Sequence, residues 1–326
     1  MEEEHGVLVQ TARDAAASLK ACGFACLELD DFAEGAFGCM FDVGIGALDA
    51  LKARGVSLDE HPCAVGNFLG NSDTETGAMA KSALDVSGIH ARGAISRYNA
   101  HREGFIFSNG VMYNPLDKDH ELHGSFVEAM QAALNCALFA GNLVLDEIAS
   151  DLASEDSFDE RYGPLRTNVQ WHLKRYDATD SCSSSSDRIL LGVHTDPSLV
   201  SVVIVDTKGP QMGAAGLQCY TETKRWREVA NSGRGVAIIL SGSILEKVTK
   251  QAYKACRHRV VAPIVGFARP RVAATFFLRP APNARLAPII SSGSNRKESS
   301  YQTFRQWKER VSNRYQKRPK KESKKR

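Results

Sequence analysis

The chain has 326 residues, 24% of them charged and 43% hydrophobic, the proportions of an ordinary globular protein that builds its core without disulfide staples. Its net charge of +3 is unevenly placed: residues 317–326 carry seven basic side chains and one acidic, so the rest sums to −3 and argues for no nucleic-acid groove. The eight cysteines are scattered without a CxxC, no apolar run reads as a membrane span, and the start Met1-Glu2-Glu3-Glu4-His5 is acidic where a signal peptide would be basic. The expectation is a reduced, cytoplasmic chain with no membrane partner.

In chain order, residues 8–54 read as largely helical. Leu8, Ala12, Ala15, Ala16 and Leu19 fall at spacings of three and four, and Phe37, Met40, Phe41, Ile45, Leu48 and Leu51 repeat the pattern. A short strand at 23–29 lies between them. Residues 61–116 are rich in Gly, Asn and Ser and read as irregular, with a strand at 103–107. A long helix is predicted over 117–152, with Phe126, Met130, Ala133, Leu134, Ala137, Leu138 and Leu145 on one face and Asp117 or Asp119 at its start.

After Gly163-Pro164 short β-branched runs separated by turn residues follow. They span 169–176, 189–193, 199–205, 217–220, 226–229, 236–240, 253–261 and 272–278. Eight strands at such intervals point to a sandwich or barrel, and eight is the jelly-roll number. A serine-rich loop occupies 181–187, and a last helix is predicted over 301–315. The organisation expected is a mainly helical region packing on the barrel (1–162), a jelly-roll domain (163–298), a C-terminal helix (299–316) and a basic tail (317–326). The fold class is a mostly β core with flanking helices, α+β overall.

His194-Thr195-Asp196 sits where the strand 189–193 ends, and His258 lies sixty-four residues later on another predicted strand. Residues i and i+2 of a strand point the same way, so His194 and Asp196 can reach one ion. Two histidines and one carboxylate on one face of iron leave three positions open. The tripeptide alone is weak evidence, and a strand-end His with a turn Asp before Pro197 explains it as well. His101-Arg102-Glu103 has the same spacing but no later partner.

Thirteen residues beyond His258, Arg271 opens the strand 272–278. A buried arginine needs a carboxylate, and its fork matches a dicarboxylate bidentately. The plainer alternative is a solvated strand-edge residue, like Arg269 and Arg279.

With these residues in view, the chain resembles the 2-oxoglutarate and iron(II)-dependent dioxygenases, of the isopenicillin N synthase-like branch. Residues 253–260, YKACRHRV, match its Y-K-S-x-x-H-R-V without a gap. Residues 235–242, GVAIILSG, resemble its G-A-L-V-V-N-L-G-D. Gly216-Leu217-Gln218 follows His194-Thr195-Asp196 as G-L-Q follows H-T/S-D, and Trp226 corresponds to the W of G-x-W. Residues 271–277, RVAATFF, resemble R-x-S-x-x-F-F. The likeness covers about 165–285, and Ala21-Cys22-Gly23-Phe24 gives a fainter echo of the N-terminal strand entry.

The resemblance implies a double-stranded β-helix in which His194, Asp196 and His258 bind Fe(II), Arg271 binds the distal carboxylate of 2-oxoglutarate, and Tyr176 touches the cosubstrate. Two positions depart from it: the serine of R-x-S is Ala273, with Thr275 as a substitute on the same face, and the asparagine of N-x-Y is Lys174. Lys174 is expected either to contact the cosubstrate or substrate, or to be a long solvated side chain. The activity implied couples decarboxylation of 2-oxoglutarate, with O2 and with ascorbate as an optional auxiliary, to hydroxylation, desaturation or a similar oxidation of a small-molecule substrate.

By analogy Tyr98, Arg102, Phe105 and Phe107 are candidate pocket residues, the two Phe being better explained as packing. Two other readings stay open: an iron oxidase of the same fold without 2-oxoglutarate, and an idle barrel whose basic tail contacts nucleic acid or directs the chain to the nucleus. The tail is better explained as a solvated terminus, and a monomer is expected.

Overall fold

The computed structural model describes residues 8–9, 11–54, 102–108, 114, 116–176, 188–206, 216–229, 233–262, 270–289 and 300–316. Tyr98, His101, the loop 181–187 and the tail 317–326 lie outside them. The N-terminal part runs β1 (Leu8–Val9), α1 (Ala12–Cys22), β2 (Phe24–Glu28), α2 (Asp31–Ala53), β3 (Arg102–Ser108), α3 (His123–Asp151) and α4 (Phe158–Tyr162). A 3₁₀ turn at Leu165–Asn168 then leads into β4 (Gln170–Tyr176), β5 (Arg188–His194), β6 (Val200–Val205), β7 (Leu217–Tyr220), β8 (Trp226–Glu228) and β9 (Val236–Ser241). The chain continues through α5 (Ser243–Val248), β10 (Arg257–Ala262), β11 (Arg271–Leu278) and α6 (Phe304–Gln316).

Local chemistry sets the helix ends. The Thr11 hydroxyl accepts the Asp14 N–H at 3.1 Å, and Gly23, left-handed at φ 83°, closes α1 by donating its N–H to Leu19 O. Asp30 caps α2 by accepting the Ala33 N–H at 2.8 Å. Helix α3 does not start at Asp117 or Asp119 as expected. Residues 117–122 form turns, the His120 N–H bonding Asp117 O, and the helix begins at His123 behind Leu122 without a side-chain cap. Packing of its apolar face, rather than a cap, fixes where it begins.

Two sheets form the barrel. The larger has the order β1-β2-β9-β6-β11-β4-β3 and the smaller β5-β10-β7-β8. All pairings are antiparallel except β1 with β2. All eight predicted strands are present. The run at 253–261 is shorter than expected, because Tyr253 follows turns after α5 and the strand starts only at Arg257. Neither short helix, α4 or α5, carries a periodic pattern long enough to read.

The larger sheet is buried on both faces, which is why its strands are continuous apolar runs. Val200, Val202, Ile204, Ala237, Ile239, Val272, Ala274, Phe276 and Leu278 face helices α1, α2 and α3. Val203, Val205, Val236, Ile238, Leu240 and Ala273 face the smaller sheet, meeting Leu191, Leu217, Cys219 and Val260. Helix α3 is long and apolar enough to span a membrane, but most of it is buried against this sheet. It approaches closely: a Cβ at Gly141 would stand 2.5 Å from a Leu278 methyl.

Strands β2 and β3 belong to the larger sheet, so the division expected near residue 163 is not a break in it. Phe107, Trp171 and Phe276 are cross-strand neighbours on β3, β4 and β11. The indole lies stacked between the two rings, with centroids 4.4 and 5.0 Å away. Phe105 and Phe107 are therefore core residues on the helix side of the sheet, not pocket residues.

Candidate metal centre and barrel interior

β5 ends at His194, and β10 begins beside it, with His258 directly opposite His194 in the antiparallel register. The imidazole centroids are 4.2 Å apart and inclined at 55°. Asp196 follows two residues after His194, its Oδ1 lying 3.6 Å from His194 Nε2 and 3.7 Å from His258 Nε2. The ligand atoms of all three residues lie within 4.8 Å of one another, so one ion can touch all of them. The structure thus brings together the three residues that the sequence paired.

Each imidazole is oriented the same way. His194 Nδ1 lies 2.7 Å from Gly192 O, and His258 Nδ1 lies 3.1 Å from Cys256 O. A carbonyl only accepts, so each Nδ1 carries the proton and each Nε2 lone pair is free for a cation. Asp196 is held through its backbone: its carbonyl accepts from the Ser243 N–H at 2.8 Å and the Ser243 hydroxyl at 2.9 Å, at the start of α5.

The donor set fits an iron ion. Asp196 is 3% exposed, yet its Oδ2 is buried without a hydrogen-bond partner among the described residues. A buried bare carboxylate oxygen is costly unless a cation satisfies it. Burial, and then the neighbouring His258, hold His194 down to about 3, so it is a neutral ligand at any physiological pH. Burial also lowers His258, but Asp196 and then Cys256 outweigh it and lift this imidazole to about 9. Without metal, a proton on His258 therefore balances Asp196.

The larger sheet presents its polar face to this centre. On β4, Gln170, His172, Lys174 and Tyr176 alternate with the core residues Trp171 and Leu173. On β11 their cross-strand partners are Phe277, Thr275, Ala273 and Arg271. Arg271 is buried rather than solvated, its guanidinium 5.0 Å above the Tyr176 ring. Burial lowers it, and Tyr176 opposes that shift.

Lys174 is 5% exposed, so the solvated alternative is wrong. It stands directly across from Ala273, and its charge reaches both His194 and Asp196. The side chain of Thr275 is half-buried on the same face. Three residues were missed by the sequence reading. His172 lies edge-on to Phe277 at 5.0 Å, Arg279 is buried instead of solvated, and Lys308 of α6 is buried beside it. No local signal separates them from surface residues, because only the tertiary fold buries them.

Residues 168–280 match the family model of the 2OG-Fe(II) oxygenase superfamily. Gibberellin 2-beta-dioxygenase 2 of Arabidopsis thaliana is 25% identical over 148 residues, 45% of this chain and 40% of that protein. The match thus spans about two fifths of that relative's length. Among solved structures, a full-length Neurospora crassa protein in complex with alpha-KG has a TM-score of 0.67 at 14% identity, over 97% of this chain and 98% of that one. The same Neurospora crassa protein with alpha-KG and thymine gives 0.62 at 15% identity, over 97% and 99%. The Arabidopsis thaliana dioxygenase for auxin oxidation 1, with 2-oxoglutarate, gives 0.54 at 11% identity, over 85% and 90%.

Proposed function

We propose, from the match of residues 168–280 to the 2OG-Fe(II) oxygenase family model, that the chain is an Fe(II)- and 2-oxoglutarate-dependent oxygenase acting on a small organic molecule. The observation that carries this is the joint placement of His194, Asp196 and His258 at one end of a barrel whose interior face also bears the buried Arg271. His194, Asp196 and His258 would hold iron through two Nε2 atoms and Oδ1. Iron with 2-oxoglutarate and O2 supplies the oxidising chemistry when bound; the protein supplies position, charge and dryness.

Each chain residue then has a task. Gly192 and Cys256 carbonyls fix the imidazole tautomers, and Ser243 fixes the Asp196 backbone. Arg271, desolvated and packed on Tyr176, offers a fork for a carboxylate at the far end of β11 from the triad. Lys174 stands beside that path where the family pattern has asparagine, facing the space left by Ala273, and adds a second cation to the cosubstrate pocket. Thr275 offers a hydroxyl one pleat nearer the metal. The apolar wall of Val203, Val205, Leu191 and Val260 excludes water from between them.

The Neurospora crassa structures that hold 5-formyluracil or thymine support a small-molecule substrate. The six described cysteines are free thiols, in keeping with a reducing, cytoplasmic setting. The test is succinate formation from 2-oxoglutarate by anaerobically iron-loaded protein exposed to O2. Iron-dependent succinate that disappears in Asp196→Ala is expected. Tight iron binding without succinate would favour the oxidase that dispenses with 2-oxoglutarate, and failure to bind iron would end the proposal.

A further inference from the structure

Arg279 follows the last residue of β11 and continues the row Arg271, Ala273, Thr275, Phe277 along the barrel interior. Its guanidinium donates to Gln170 Oε1 and lies 5.8 Å from the Phe277 ring centroid. It is 2% exposed, and its Nε is buried with no partner among the described residues. Lys308, 7% exposed on the inner face of α6, has a buried Nζ that likewise meets no partner among them. The two cations repel each other, and among the described residues no carboxylate forms an ion pair with either.

Two buried, adjacent cations, each keeping an unpartnered nitrogen, are costly to a folded protein. Neither belongs to the cosubstrate anchor. Eight residues of strand separate Arg271 from Arg279, roughly 26 Å at 3.3 Å per residue, so no single 2-oxo acid bridges them. Arg279 instead lies at the metal end: the neighbouring Leu278 carbonyl accepts the Leu199 N–H, three residues after Asp196, and Asp196 attracts the guanidinium from across the site. Asp196 cannot neutralise it, being already engaged by His194 Nε2 at 3.6 Å and His258 Nε2 at 3.7 Å. With Lys174 counted beside Arg271 and iron, the cations of the proposed iron and cosubstrate site already exceed the negative charges of Asp196 and the two carboxylates of 2-oxoglutarate, so that site has no negative charge to spare for Arg279 or Lys308.

We propose that Arg279 and Lys308, with Gln170 bracing the guanidinium, form a subsite for a carboxylate on the molecule that is oxidised. The link to the substrate rests on the oxygenase reading; the anion site itself does not. Arg279 presents its free Nε edge, and Lys308 supplies a point charge from the C-terminal helix. The substrate is then an organic acid, held by its carboxylate at the metal end of the barrel interior. Burial, and then the Arg279 charge, hold Lys308 down to about 7, so an arriving anion also draws a proton onto it.

The probe is acetate, small enough to enter any carboxylate subsite. The full chain, loaded with Mn(II) and 2-oxoglutarate at pH 6.5, is unfolded thermally in sodium acetate, sodium phosphate and sodium chloride at equal ionic strength. Acetate is expected to raise the wild-type midpoint by ~3 °C or more beyond chloride. Arg279→Gln and Lys308→Met should each lose that excess, while Lys308→Met in chloride melts above wild type because a buried charge is gone. No excess from acetate, or an equal excess in both variants, overturns the subsite. A rise in phosphate without one in acetate overturns the carboxylate assignment. In the same samples, stabilisation by 2-oxoglutarate that requires Mn(II) tests the oxygenase reading separately: if it is missing while the acetate response stands, that reading falls and the anion site remains.

Discussion

An imidazole that gives its Nδ1 proton to a carbonyl two residues back has one use left for Nε2, and His194 and His258 both do this toward the same carboxylate. Since Asp196 lifts His258 to about 9, a metal must displace a proton to bind. Below that value the apparent affinity for Mn(II) should fall about tenfold per pH unit, one proton being released per ion. Titrations between pH 6 and 8 with no such slope would contradict histidine ligation. Arg271→Ala leaves a dicarboxylate without its buried fork, a loss of about 2–5 kcal/mol, so KM for 2-oxoglutarate should rise on the order of a hundredfold. Lys174→Met separates two tasks: a higher KM for 2-oxoglutarate alone marks a cosubstrate contact, a change for substrate alone marks the other, and no change in either removes Lys174 from the pocket. Lys308 has a stability signature of its own. Its pKa falls from 10.5 to about 7 on folding, so between those values the unfolded chain binds the extra proton. This residue's contribution to stability should therefore rise as pH climbs from about 7 to 10.5 and be flat below. Urea midpoints compared for wild type and Lys308→Met should converge as pH rises through that window.

At the scale of elements, the centre is held by strands that are themselves clamped from behind. Trp171 between Phe107 and Phe276 ties β3, β4 and β11 into one unit, and the β4 side chains that alternate with Trp171 point into the barrel. Trp171→Ala should cost about 3–5 kcal/mol, read as a lower urea midpoint. Gly141→Leu drives a side chain into Leu278 and Val202 and should cost about 1–3 kcal/mol or more. These strands were legible in the sequence because each is short, β-branched and bounded by turn residues, and because strands buried on both faces read as unbroken apolar runs. The start of α3 was not legible. Asp117 and Asp119 have the chemistry of a cap, but the register of Phe126, Met130 and Ala133 against the sheet sets the helix six residues later than Asp117. The short α5 was equally hidden, although it carries Ser243, which steadies Asp196.

Over the whole molecule, the part of the site visible in the sequence was the part written as motif: His194, Asp196, His258, Arg271 and Tyr176 keep fixed spacings along adjoining strands. What stayed hidden depends on distant segments meeting. Arg279 reads as a charged residue before Pro280, and Lys308 as one of several cations on a polar helix; only the docking of α6 on the segment after β11, where the Phe304 and Arg305 N–H groups bond Ala284 O and Pro282 O, makes them a buried pair. Among the described residues three buried ionisable side chains keep an atom without a hydrogen-bond partner, Asp196 Oδ2, Arg279 Nε and Lys308 Nζ. Such a protein should gain stability as its ligands neutralise them in turn. Mn(II) alone should raise the unfolding midpoint, and at about 100 times Kd the gain is about 2.7 kcal/mol, roughly 5 °C for a chain of this size. 2-Oxoglutarate should add a further rise only when Mn(II) is present, since in the proposed site the metal would hold one end of it and Arg271 the other. If 2-oxoglutarate stabilised the metal-free chain just as well, Arg271 would be binding a dicarboxylate without reference to the triad, and the two halves of the barrel interior would not form one site.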